Sequence, residues 1–146
     1  MRTLTLKTRV IAVLTLSGLF LLTSAQTAEQ MPLLTVKQVM NALLTPMTTT
    51  IWGAYELQSE AEWLAVENAA LGVIAAGNLL AAGGAGDNET VTAQEADWQT
   101  YNQQMIAAAR AVLVAVAAKD EDALSAAGND ALYPPCESCH QQYQAR

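Results

Sequence analysis

Apolar residues recur at steps of three and four through almost all of the chain after residue 35, and no segment shows the alternation of a strand. This pattern predicts four helices joined by short polar connections. The expected ranges are Thr35 to Leu57, Ser59 to Ala82, Thr92 to Ala118, and Asp120 to Tyr133. Because short connections force consecutive helices to run in opposite directions, the sequence predicts an all-α fold, an antiparallel four-helix bundle.

Three of the predicted helices begin at residues that can cap a helix. Ser59 with Glu62, and Thr92 with Glu95, have the spacing of a capping box. The carboxylate of Asp120 can cap the last helix in the same way. We therefore expect the second, third and fourth helices to begin at these positions.

Prolines and a glycine interrupt the helical pattern at two places. Pro46 lies inside the first helix, where its missing N–H opens the bond to Ala42, so we expect the helix to bend or to end and restart there. Gly128 and the pair Pro134-Pro135 should weaken or interrupt the last helix. The third helix contains the apolar run 111–118, and we expect it to be the most buried of the four.

The only two cysteines and the only histidine of the chain lie in the five consecutive positions Cys136-Glu137-Ser138-Cys139-His140. The pattern Cys-x-x-Cys-His is the attachment signature of covalently bound c-type haem. Two thiols at this spacing can reach the two vinyl groups of one haem, and the adjacent histidine can bind the iron. The sequence therefore predicts one covalent haem c, held by Cys136, Cys139 and His140.

Other chemistries also use cysteines at this spacing. A redox dithiol of the thioredoxin type follows a strand, and no strand is predicted here. A structural zinc site needs four ligands, and the sequence has no second cluster of cysteine or histidine. A plain disulfide between Cys136 and Cys139 is a further alternative. Haem attachment is favoured over all three.

Residues 1–25 have the pattern of an export signal. Arg2, Lys7 and Arg9 precede an uncharged apolar stretch, and small residues follow at the expected cleavage site. The apolar stretch is shorter than the roughly 20 residues of a membrane span, but an uncleaved anchor is the alternative. We expect a signal peptide and a periplasmic location, because haem is joined to c-type cytochromes outside the bacterial inner membrane.

The predicted mature domain, residues 26–146, is strongly acidic. The whole chain has 7 Lys and Arg and 14 Asp and Glu, and three of the basic residues lie in the signal, so 4 minus 14 leaves a net charge of −10. This charge disfavours nucleic acid and anionic membrane surfaces as partners. It favours a redox partner with a basic patch, although an acidic surface also serves solubility alone.

A secreted helical chain whose single Cys-x-x-Cys-His lies at the C-terminus, on the last of four helices, resembles the class II c-type cytochromes, the cytochrome c′ superfamily. The specific part of the resemblance is the block 136–143. It implies an electron carrier in which the first helix supplies the distal wall of the haem, and relatives commonly form homodimers. The chain departs from the superfamily at Gln144, where a basic residue is common, and at Pro134-Pro135.

The second axial ligand of the iron decides what such a protein does. Because His140 is the only histidine, a protein ligand on the other side would be a methionine. Met40 and Met47 lie seven residues apart on one face of the first helix, and the resemblance implies a methionine from that helix in low-spin members. Met40 is the favoured ligand, with Met47, an open iron, or ordinary core packing of both as the alternatives.

Several other residues are candidates for packing around a haem. Trp52, Trp63 and Trp98 are expected to pack in the core or at a haem edge, with Trp52 the best candidate for contact. Lys37 or Arg110 can meet a haem propionate, or stay solvated. Asn78, among apolar neighbours, can bond a propionate or another helix.

We therefore expect a periplasmic monohaem c-type cytochrome that carries electrons and is not an enzyme. The alternative is a five-coordinate haem protein that binds nitric oxide or carbon monoxide. A third possibility is a helical binding or structural protein with a disulfide and no haem.

Overall fold

The computed structural model describes residues 31–144, and all regular structure in that part of the chain is helical. The predicted all-α class is confirmed, while the predicted signal peptide lies outside the described residues. The helices are α1 (Val36–Val39), π1 (Met40–Leu44), α2 (Thr45–Trp52), α3 (Glu60–Leu80), α4 (Glu89–Thr92), α5 (Ala96–Ala118), α6 (Glu121–Ser125), π2 (Ala126–Leu132) and α7 (Tyr133–Tyr143).

The segments α1, π1 and α2 follow one another without a gap, and together we call them the first helical run, residues 36–52. In π1 the N–H of Thr45 donates to the carbonyl of Met40, five residues back. This wider turn comes directly before Pro46, whose ring would otherwise meet the carbonyl of Ala42. Pro46 therefore does not end the helix, and the first run continues to Trp52.

The segments α6, π2 and α7 form the last helical run, residues 121–143. Asp120 caps it, as predicted, by accepting a hydrogen bond from the N–H of Ala123 at 2.9 Å. Gly128 and Pro134-Pro135 were expected to weaken or interrupt this helix, and the predicted interruption is wrong, because the run is continuous through a π-helical segment that contains Gly128. Like π1, π2 precedes prolines and widens the turn before them, so the helix continues to Tyr143.

The two long central helices, α3 and α5, begin differently. Ser59 caps α3 in a capping box with Glu62, as predicted. The predicted box of Thr92 and Glu95 is wrong, because Thr92 is the last residue of α4 and its carbonyl accepts the N–H of Glu95 at 3.0 Å. Glu95 is itself the N-cap of α5.

Helices α3 and α5 pack closely against each other through small residues. Val73 on α3 and Ala109 and Val112 on α5 are fully buried. At Gly77 the approach is so close that an added Cβ would lie 2.6 Å from Cγ1 of Ile106. The helix α5 is not the most buried, because α3 buries as many of its residues and Val114, in the apolar run of α5, is 71% exposed.

Helix α3 has the length and the apolar composition to cross a membrane, a test that the core helix of a soluble protein also passes. In this fold it packs against α5 and α2, and its inner face is part of the core.

Candidate haem site

A cavity of about 690 Å³ lies between the first and the last helical runs and is closed on one side by α5. Its lining is more apolar than polar. The residues from the last run and its C-cap are Pro135, Cys136, Cys139, His140, Tyr143 and Gln144. Those from α5 are Trp98, Tyr101, Asn102 and Met105. All three residues of the predicted attachment motif therefore face one cavity.

The motif lies on α7, where regular helix brings its three functional residues to one side. Cys136, Cys139 and His140 are at positions i, i+3 and i+4, which share a helix face. Both cysteines are free and partly buried, and His140 is exposed. The thiol of Cys136 donates a hydrogen bond to the carbonyl of Leu132 at 3.1 Å.

Burial makes both thiols weak acids. It raises the pKa of Cys136 to about 11, with a smaller contribution from the neighbouring Cys139, and it raises the pKa of Cys139 as well. Both groups are therefore protonated at neutral pH. A thioredoxin-type dithiol depends instead on a lowered pKa, so the site does not have the electrostatics of that class.

The opposite wall of the cavity is a row of residues on the first run, spaced four apart. These residues are Val36, Met40, Leu44, Thr48 and Trp52. The structure thus brings Met40 into the same cavity as the cysteines and His140.

Met47 is not among the cavity residues. Its side chain turns toward α3, where a Cβ atom added to Gly72 would lie 2.8 Å from the Met47 sulfur. The prediction that Met40 and Met47 share one face is therefore wrong, because π1 changes the helical register between them. Of the two, only Met40 is available to a group bound in the cavity.

Two cavity residues on α5 were not predicted from the sequence as site residues. Met105 is 6% exposed and supplies a second thioether. Asn102 is 7% exposed, and its Nδ2 donates to the carbonyl of Gly77 at 2.9 Å. The spacing of Trp98, Asn102 and Met105 along one helix face was the available signal. The buried asparagine is thus Asn102, while Asn78 is exposed and outside the cavity.

Two of the three tryptophans line the cavity, and the third lies in the core. The indole N–H of Trp52 donates to the carbonyl of Gly128 at 2.9 Å, which ties the first run to the last. Trp98 lines the cavity and donates to the carbonyl of Leu80 at 2.9 Å. Trp63 is buried away from the cavity. Trp52 lies on the cavity wall, and its contact with a haem stays a prediction.

The two basic residues that were candidates to meet a haem propionate lie in different places. Lys37 is exposed and lines the cavity, whereas Arg110 is exposed and does not. Beside Lys37, the N–H of Val36 donates to Glu89 Oε2 at 3.0 Å, and this carboxylate also accepts the N–H of Gly86 at 2.9 Å. Glu89 thereby holds the start of the first run against the loop that follows α3.

The end of α7 is anchored to the start of α5. The rings of Tyr143 and Trp98 meet edge to face, with centroids 5.2 Å apart. Gln142 donates to Asp97 at 3.1 Å and accepts from the hydroxyl of Tyr101 at 3.2 Å. These contacts hold the motif helix in place. Gln144, four positions after His140, is an exposed residue of the cavity rim.

The donor atoms at the cavity are two thiols, one imidazole and thioethers, a set that suits a c-type haem. Within residues 31–144 there is no group of three or more His, Cys, Asp and Glu side chains that could hold a metal ion. The described residues therefore do not supply the four ligands of a structural zinc site.

A scan against protein-family models and searches of the curated proteins and of the solved structures find no match for this chain.

Proposed function

We propose that this protein is a periplasmic monohaem c-type cytochrome that carries electrons. The observation that carries the proposal is the convergence of Cys136, Cys139, His140 and Met40 on one cavity of about 690 Å³. That volume falls within the range of about 300–1,000 Å³ that is typical of small-molecule and cofactor sites. The proposal is thus supported by an attachment motif that lines a cavity of suitable size.

In the proposed arrangement the four long helical stretches form an antiparallel four-helix bundle of the cytochrome c′ superfamily. Two contacts support this arrangement. Trp98, near the start of α5, lies against Tyr143, at the end of α7. Trp52, at the end of the first run, is bonded to Gly128, in the first half of the last run.

The assignment of Met40 as the second axial ligand is supported by its level in the bundle. From the bond between Trp52 and Gly128, Met40 lies twelve residues back along the first run and His140 twelve residues forward along the last. Because the runs are antiparallel in the proposed bundle, equal steps bring the two residues to about the same level. Met47 is only five residues from Trp52, so it falls short of His140.

When bound, a haem would supply an iron centre that gains and loses one electron. The roles left to the chain are attachment by Cys136 and Cys139, axial ligation by His140 and Met40, and exclusion of water. A thioether ligand and an apolar lining both raise the reduction potential of a haem iron. At the cavity rim, Lys37 is the basic residue that could pair with a propionate carboxylate of the haem.

Expression with a periplasmic haem-attachment system tests the proposal. We expect the mature chain to gain the mass of one haem and to give the pyridine haemochrome spectrum of a thioether-linked haem. The double variant Cys136→Ala with Cys139→Ala should lose the covalent haem, whereas the matched control Ser138→Ala should retain it. Purified wild-type protein with free thiols and no added mass would refute the proposal.

The optical spectrum separates electron transfer from gas binding. With Met40 as ligand, the ferrous protein should be low-spin and should not bind carbon monoxide at low pressure. Met40→Leu should convert it to a high-spin form that does, while Met47→Leu should leave the spectrum unchanged. A wild-type protein that is already high-spin and binds carbon monoxide would instead be the gas-binding protein.

A further inference from the structure

Next to the cavity, two large rings reach the surface as a pair. Trp52 is 39% exposed and Tyr133 is 50% exposed, and their rings meet edge to face with centroids 6.1 Å apart. Trp52 also lines the cavity. One side chain therefore extends from the proposed haem pocket to the solvent, and tryptophan and tyrosine are residue types enriched at protein interfaces.

Acidic residues flank this ring pair on the last helical run. Asp130 precedes Tyr133 by three residues and Glu137 follows it by four, and both are exposed. We call Trp52, Tyr133, Asp130 and Glu137 the ring patch. Within residues 31–144 the one ion pair joins Lys119 to Glu60, so no described basic side chain neutralises the ring patch.

We propose that the ring patch is the docking surface for a redox partner whose contact face carries lysine or arginine residues. This inference rests on the proposed haem site, because it is the haem that makes a redox partner necessary. Cationic side chains can lie against the exposed faces of Trp52 and Tyr133 and at the same time approach Asp130 and Glu137. Small, salt-sensitive interfaces of this kind suit transient electron-transfer encounters.

The charge distribution favours a basic partner over a second copy of this chain. Of the three basic residues in the described part of the chain, Lys119 is paired with Glu60, and Lys37 lies on the cavity lining toward the other end of the first run from Trp52. Arg110 is exposed and is paired with neither acid of the ring patch. A second copy would therefore present mainly acidic residues, and like charges oppose docking.

The first test locates the binding of an aromatic trication, the redox-inert paramagnetic complex tris(phenanthroline)chromium(III). Holoprotein labelled with 5-fluorotryptophan gives one signal for each of its three tryptophans. The ferrous protein under carbon monoxide is diamagnetic whether or not a methionine binds the iron. We expect the complex to broaden the Trp52 signal while leaving Trp63 and Trp98, 7% and 5% exposed, sharp. Equal broadening of all three, or none at Trp52, would overturn the proposal.

The second test measures the rate at which tris(phenanthroline)cobalt(III) oxidises the ferrous protein, with charge and ring variants. Asp130→Asn and Tyr133→Ser should each lower the rate constant about two- to threefold at low ionic strength, with a flatter salt dependence for Asp130→Asn. The matched controls remove a charge or an apolar side chain elsewhere, through Glu67→Gln on α3 and Val114→Ser on α5, and should change the rate less. Controls as slow as the patch variants would refute the docking surface.

The two proposals fail in different ways. A chain that attaches no haem refutes the electron-carrier proposal by its mass. A chain that attaches haem but shows no preference for the ring patch refutes only the docking surface.

Discussion

The two halves of this molecule are packed in different ways. Between α3 and α5, Val73, Ala109 and Val112 are fully buried and Gly77 leaves no room for a methyl group beside Ile106. Between the first and last helical runs lies a cavity of about 690 Å³ with partly buried cysteines. One face of α5 packs closely against α3, whereas another part of the same helix lines the cavity. The comparison shows that close packing leaves no space between α3 and α5, whereas the space between the two runs is where the proposed haem would bind.

The largest effect expected from this contrast is on thiol reactivity at the cavity. Because burial raises the pKa of Cys136 to about 11, the thiolate is scarce at neutral pH. In haem-free chain at pH 8, alkylation of Cys136 should be about tenfold slower than in urea-unfolded chain, since the scarcity of thiolate outweighs its greater nucleophilicity. Mass spectrometry after timed alkylation measures this.

The same raised pKa makes stability depend on alkaline pH. The folded state binds the Cys136 proton more tightly than the unfolded state does, and this difference adds to the free energy of unfolding. The contribution is fully present below the pKa of the unfolded thiol, near 9. It is lost as the pH rises toward 11. Between pH 9 and 11, the free energy of unfolding of the haem-free wild-type chain should therefore fall more than that of Cys136→Ala. Equal decreases, measured by urea unfolding, would contradict the burial of the Cys136 thiol.

The next effect concerns the closely packed half. Gly77→Ala should lower the free energy of unfolding by about 1–3 kcal/mol, because the new methyl group meets the branched side chain of Ile106 at 2.6 Å. Gly72→Ala is the matched control. There the methyl group meets the flexible Met47 side chain, so the change should stay within about 1 kcal/mol. Urea unfolding of both variants makes the measurement, and equal destabilisation would show that the two helix faces do not differ.

A smaller effect is expected where the two runs are joined beside the cavity. Trp52→Phe keeps an aromatic ring but removes the donor of the bond to Gly128, so the free energy of unfolding should fall by about 1 kcal/mol. Thermal unfolding of the haem-free and haem-attached proteins can compare the loss. No change in either form would show that this bond does not join the runs.

The smallest effect concerns the charge at the cavity rim. Lys37→Gln should lower the haem reduction potential, because a nearby positive charge opposes the ferric state. The interaction free energy of an exposed pair of charges is about 0.2–1 kcal/mol, which corresponds to a change in reduction potential of roughly 10–40 mV. Arg110→Gln is the control, because Arg110 does not line the cavity. Redox titration of both variants measures the difference, and an equal shift in both would refute a specific role for Lys37.

Much of the secondary structure could be predicted from local patterns. Ser59 with Glu62 and the cap at Asp120 were correct because a cap depends on residues within one turn. The predicted box at Thr92 was wrong because α4, a single helical turn, ends at that residue. The prediction of a break at Pro134-Pro135 was wrong because a π-helical segment can widen the helix ahead of a proline.

The contiguous part of the candidate site could be predicted directly from the sequence, and Met40, Trp52 and Lys37 were candidates that the structure places at the cavity. Cys136, Cys139 and His140 form a motif that can be recognised from sequence spacing alone. Met40 could not be separated from Met47 by a helical period, because π1 shifts the register between them. Met105 and Asn102 lie on a different helix, and their place at the cavity depends on how α5 packs.

The amino-acid sequence alone determined that the described part of the chain is helical and that its two cysteines and its histidine share five positions, because periodicity and spacing are local properties. The tertiary structure decided which residues of the other helices face the same cavity as these three. It also decided which of the tryptophans reaches from the cavity to the surface. These relations depend on contacts between residues far apart in the chain, where a π-helical segment or one small side chain changes which faces meet.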